Sequence, residues 1–127
     1  MNTLRSLRAA LALGAATLLL AGCAPSAEGI AGTWGSDAAG EPLLALGDNG
    51  TLSGTDGCNR LTGSWALTGD GTLEFGDIAM TEMACENVDT WLSGLATGEV
   101  AGGKLHIFDG TGKEIGSLAH ERETELR

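Results

Sequence analysis

Hydrophobic and polar positions alternate with a period of two along much of this chain. Leu61, Gly63, Trp65 and Leu67 are interleaved with Thr62, Ser64 and Ala66, so one face of the segment is apolar and carries a large ring. This is the pattern of a half-buried strand. Leu73 and Phe75 flank Glu74 in the same way, as Leu105 and Ile107 flank His106. Short apolar runs are separated by turn sequences at 47–50 (GDNG), 68–71 (TGDG), 101–103 (AGG) and 109–112 (DGTG). Such punctuation predicts a meander of antiparallel hairpins. Over 113–118 the parity breaks, since Ile115 and Leu118 face opposite ways unless Gly116 marks a bulge.

One stretch follows another period. Val88, Trp91, Leu92 and Leu95 stand at i, i+3, i+4 and i+7, with Glu86, Asn87 and Asp89 near the start and Gly98 beyond the end. This predicts an amphipathic helix with an acidic first turn and a glycine stop. The expected fold class is therefore α+β: a small curved antiparallel β-sheet or partial barrel closed by one α-helix. The domain is placed at 30–118, with a charged tail at 119–127 that lacks a core pattern.

The N-terminus reads differently again. Arg5 and Arg8 precede thirteen uncharged, mostly apolar residues at 9–21, the arrangement of an export signal. A transmembrane anchor needs about 20 apolar residues, and a plain secretory signal leaves the position of Cys23 unexplained. Leu20-Ala21-Gly22-Cys23 resembles the lipobox of bacterial lipoproteins, in which the cysteine thiol receives a diacylglyceryl group and the chain is cut before it. The expectation is a signal peptide at 1–22, a lipidated Cys23, and a tether at 23–29 that leads into the domain. The product would be a membrane-anchored lipoprotein of the cell envelope, exposed outside the cytoplasm.

Charge narrows the partners. Residues 23–127 hold five basic and all seventeen acidic side chains, a formal charge of −12. A domain so acidic repels nucleic acid and anionic headgroups, so the lipid on Cys23 would be its hold on the membrane. Two acyl chains suffice for that where one is marginal.

Cys58 and Cys85 are the thiols that remain, and outside the cytoplasm a bridge between them is the economical reading. It would close a loop worth about 3 to 4 kcal/mol. The sharper alternative is a metal site built from Cys58, Cys85 and His106 or His120, but no CxxC or HxxxH pair exists and no metal is expected. Asp48, Asn49, Asp56, Asp70 and Asp77 do not form a calcium loop with its closing glutamate. No two carboxylates stand out as a catalytic pair, and nothing marks a nucleophile with its base. Neither a catalytic residue nor a cofactor is expected. Trp34 and Trp65 could stack on a ligand, although lone aromatics on apolar strand faces more often belong to a core.

Four stretches carry a further resemblance: Asp56-Gly57-Cys58-Asn59-Arg60, Gly63-Ser64-Trp65, Leu73-Glu74-Phe75-Gly76 and Met80-Thr81-Glu82-Met83-Ala84-Cys85. In order and spacing they are similar to the META domain family of HslJ-type heat-inducible lipoproteins. Gly32-Thr33-Trp34, the stretch 50–54 and the closing 105–112 also match, so the likeness covers most of 30–118. The segment between Trp34 and Leu43 is shorter than is usual there, which implies a reduced first hairpin. Leu61 and Trp65 stand where Phe and Tyr are common. The resemblance implies a curved sheet or partial barrel closed by a helix, no established enzymatic activity, and an association with envelope stress and drug tolerance. Asn59 and Arg60 are its most recognisable residues, either as pins of the Cys58 turn or as ligand contacts.

The function expected is thus a non-enzymatic envelope lipoprotein that binds a protein partner or an apolar ligand. The alternative is a small lipocalin-like protease inhibitor, on the strength of Ala31-Gly32-Thr33-Trp34.

Overall fold

The computed structural model describes residues 27–121. The expected signal peptide at 1–22, Cys23 with its tether up to Ser26, and residues 122–127 of the charged tail lie outside the described residues. A single helical turn, α1 (Ala27–Ile30), leads into eight strands: β1 (Gly32–Gly35), β2 (Leu43–Leu46), β3 (Thr51–Thr55), β4 (Arg60–Leu67), β5 (Leu73–Met80), β6 (Thr97–Ala101), β7 (Lys104–Phe108) and β8 (Glu114–Ala119). Each strand pairs antiparallel with the next. A bridge between Trp34 of β1 and His120, one residue past β8, brings the sheet round into a nearly closed barrel. Full closure is what removes the unpaired edges of a sheet.

The two-residue period decides which side chains fill the barrel. Trp34 faces Leu44, Leu46 faces Leu52, Trp65 faces Phe75, and Leu105 faces Leu118. Of these only Phe75 is more than slightly exposed to solvent. The two largest rings are also tied at their polar edges: Trp34 Nε1 donates to the carbonyl of Ile30 at 2.9 Å and Trp65 Nε1 to that of Gly47 at 2.8 Å. A buried indole N–H is costly unless it finds such a partner.

Two bulges correct the parity of the strands. Thr62 pairs with Ala79 but Ser64 with Gly76, so β5 holds one extra residue, and Asp77 within that step has φ +53°. Ile107 pairs with Gly116 but Phe108 with Glu114, which makes Ile115 the extra residue of β8. The bulge expected at Gly116 therefore sits one position earlier. Gly116 has a separate reason to lack a side chain, because a Cβ there would come within 2.5 Å of the Trp91 ring.

The predicted helix over Val88–Leu95 does not exist, and the α+β assignment falls with it. The described residues form an almost all-β barrel, with a 3-10 turn at Trp91–Gly94 in place of the helix. Leu92 and Leu95 are buried and Trp91 packs against the core, so the apolar spacing reported burial and not helicity. Asn87 adopts φ +62°, a left-handed conformation that keeps it out of the acidic first turn the helix was expected to have. The remainder, Val88-Asp89-Thr90 followed by Ser93-Gly94, is poor in helix formers, and so short a helix is marginal on propensity alone.

Candidate functional site

The turn between β3 and β4 is built around Asp56. Its Oδ1 accepts the N–H of Cys58 at 2.9 Å and of Asn59 at 2.6 Å, while its own N–H donates to the Asn59 carbonyl at 3.1 Å. Such local bonds are why aspartate opens turns. Asp56 is fully buried, and its Oδ2 accepts no hydrogen bond from the described residues. Gly57 follows at φ +100°, and a Cβ there would lie 2.6 Å from the Gly40 carbonyl, so only glycine fits.

Asn59 carries the turn's grip on the rest of the chain. Its Oδ1 accepts the N–H of Met83 at 2.5 Å and the hydroxyl of Thr81 at 3.2 Å, and its Nδ2 donates to the Met83 carbonyl at 3.4 Å. One carboxamide thus pairs with both backbone groups of one residue, as a neighbouring strand would. Arg60 and Thr81 extend the pairing, since Thr81 N–H donates to the Arg60 carbonyl and Arg60 N–H to the Thr81 hydroxyl. The disulfide Cys58–Cys85, with 5.8 Å between Cα atoms, fastens the far end of the same segment.

These bonds hold a short segment rigidly on the surface. Met83 is 61% exposed and Met80 38%, and they are the exposed large hydrophobics among the described residues. Arg60 is exposed beside them, and a shallow depression of about 260 Å³ lies between Arg60, Thr62, Ala79, Met80 and Thr81. An exposed cation at the start of β4, a thioether at the end of β5 and a second thioether on the pinned segment that follows suit recognition of another molecule.

The other residues singled out by sequence lie elsewhere. Trp34 and Trp65 are core rings, 2% and 7% exposed. His106 pairs across the β7–β8 hairpin with Glu114, Nδ1 to Oε1 at 2.5 Å, and His120 packs edge-on to Trp34 with ring centroids 4.4 Å apart. Among the described residues no group of three or more His, Cys, Asp or Glu is placed to hold a metal ion. Asp70 and Asp109 have carboxyls held below the ordinary carboxylate range, Asp70 chiefly by the Thr68 hydroxyl and Asp109 chiefly by the Thr111 hydroxyl. Asp70 sits in the turn between β4 and β5 and Asp109 in the turn between β7 and β8.

The model of the META domain family matches residues 26–115, well over half of the chain. This chain belongs to the META domain family. No curated protein and no solved structure matches it. Two of the four stretches that carried the resemblance, around Cys58 and around Cys85, prove to be one place in this META domain. Sequence spacing did not reveal that Asn59 binds Met83, or that Asp56 is buried. The Asp56 signal was present all the same, as an aspartate two and three residues ahead of backbone N–H groups in a turn.

Proposed function

We propose that this META domain is a non-enzymatic, lipid-anchored envelope protein that binds a protein partner at the corner formed by Asn59, Arg60 and the Thr81 to Cys85 segment. The observation that carries the reading is the double grip of Asn59 on Met83 beside a disulfide, which presents the most exposed large apolar side chain among the described residues on a segment held at both ends. A preorganised anchor loses little entropy on binding. The barrel interior is occupied by Trp34, Trp65, Leu61, Leu73, Leu105 and Ile107, which favours a partner at the surface over an apolar ligand inside.

The anchor is assigned to Cys23, where labelling with an alkynyl fatty acid should be lost in Cys23→Ala. Among the described residues no helix is long and apolar enough to cross a membrane. A photo-reactive amino acid placed at Met83 of the full chain should yield a discrete protein adduct in living cells, while the same group at Lys104 should not. Adducts of equal yield from both positions, or from neither, would overturn the partner reading. The stress role calls for growth of a deletion strain under heat and envelope-active drugs, with Met83→Ser complementing poorly if the corner is the working part.

The eight-stranded meander also suits the inhibitor reading. A panel of secreted metalloproteases left uninhibited by the purified protein retires it.

A further inference from the structure

The chain between β5 and β6 is held unevenly. Near its start Met83 has both backbone groups on the Asn59 carboxamide, and near its end Leu92 and Leu95 are buried in the core with Trp91 packed against it. Among the described residues, no hydrogen bond joins 84–89 to a strand or to the Asp56 turn. What fixes this stretch is the Cys58–Cys85 bond and the Val88 side chain, whose methyls lie 3.0 and 3.9 Å from where a Cβ would stand on Gly57 and Gly40.

The bridge faces solvent on one side. Cys85 is exposed, whereas Cys58 is half-buried in the turn. A segment without a backbone ladder and with one half-buried apolar side chain opens at low cost, and exposed disulfides are the labile ones. The turn beside it contains Asp56, fully buried with Oδ2 unpaired, and such an oxygen gains hydrogen bonds when water reaches it. Cys58 is also placed for the open state. Its Sγ lies 3.5 Å from the Met83 carbonyl, within reach of a weak S–H donor, so Met83 stays held by Asn59 and by Cys58 when Cys85 is let go.

We propose that the Cys58–Cys85 bridge is a reducible latch, opened by a dithiol reductant at Cys85, which frees 84–89 from the Asp56 turn while Met83 and the barrel keep their places. A thiolate of the reductant attacks Cys85 Sγ, a mixed disulfide forms as the bond to Cys58 breaks, and Cys58 leaves as a thiolate that takes up a proton. The second thiol of the reductant then loses its proton and attacks its own sulfur in the mixed disulfide. Cys85 leaves and is protonated, the two electrons have passed to the protein, and the reductant ends as a disulfide. The latch does not depend on a partner at the Asn59 corner.

The test uses the full chain in detergent and a thioredoxin-like dithiol protein. With the reductant's second cysteine changed to serine, the mixed disulfide should be trapped on Cys85, as read by peptide mass; trapping on Cys58 would overturn the proposal. The rate of reduction by the intact dithiol should be the same without urea and in about 1 M urea. A steep rise with urea would mean that the bridge is reached only from the unfolded chain, and the latch would be refuted. After reduction, a glutamate-specific protease should cut behind the exposed Glu86 about tenfold faster, and at its former rate after reoxidation. Cleavage behind Glu99 of β6 should not change. Equal acceleration at both positions would make the bridge a support of the whole barrel, and no acceleration at Glu86 would show that the segment stays in place; either result sinks the proposal.

Discussion

The Asn59 carboxamide and the Met83 peptide unit form a closed pair, N–H to Oδ1 at 2.5 Å and Nδ2 to carbonyl at 3.4 Å, across 24 residues of sequence. A side chain here does the work of a strand edge. It fixes a segment that has no ladder of its own, and it is itself fixed by Asp56 through the Asn59 N–H at 2.6 Å.

Asn59→Ala removes three hydrogen bonds to Thr81 and Met83 at a position only 9% exposed. The expected loss is about 2 to 3 kcal/mol, since partly buried backbone groups are left unpaired. Urea titration measures the loss. Hydrogen exchange should accelerate at 81–85 while the amides of β3 and β4 stay protected.

Gly116→Ala tests the packing of the turn that replaced the helix. The added Cβ would meet the Trp91 ring at 2.5 Å, and overpacking of this kind costs about 1 to 3 kcal/mol. Trp91→Leu in the same chain should restore part of the loss. A double-mutant cycle with no coupling would show that the two residues do not share the strain.

Cys85→Ser opens the bridge that closes 27 residues. The chain-entropy relation gives a loss of about 3 to 4 kcal/mol, and reduction of the wild type should lower the melting temperature to match. Thiol titration under native conditions should detect neither Cys58 nor Cys85 until a reductant is added.

Acid should weaken the turns at Asp70 and Asp109. The Thr68 hydroxyl, followed by the Thr72 N–H, holds Asp70 below its reference value of 3.8, and the Thr111 hydroxyl, followed by the Thr111 and Lys113 N–H groups, does the same for Asp109. The folded state then binds protons less readily than the unfolded one. Its gain in stability is complete above the unfolded value and disappears as pH falls through the lower folded values. Stability measured against pH should fall less steeply below about pH 4 in Asp70→Asn/Asp109→Asn than in the wild type.

Much of the barrel could be read from the chain because strand alternation and turn chemistry are local. The Leu61 to Leu67 strand, the turns at 47–50 and 109–112 and the break of parity near Gly116 are set by neighbours in sequence. The Trp91 to Leu95 stretch misled because period alone cannot separate a helix from an irregular segment whose apolar residues also turn inward. What holds the stretch in its irregular path is non-local: Leu92 and Leu95 are buried in the barrel core and Trp91 packs against it. The corner itself was legible as a set of residues, Cys58, Asn59, Arg60 and Cys85, but not as a shape. The closure was not legible at all, since the pairing of Trp34 with His120 depends on the curvature that the intervening strands set.

Trp34 ties together the two ends of the described chain. Its ring edge is held by Ile30, at the start of the described chain, and its backbone is bridged to His120, near the end. The barrel is therefore locked by residues near both ends of the described chain, and shortening the chain at either side should open it at the same place.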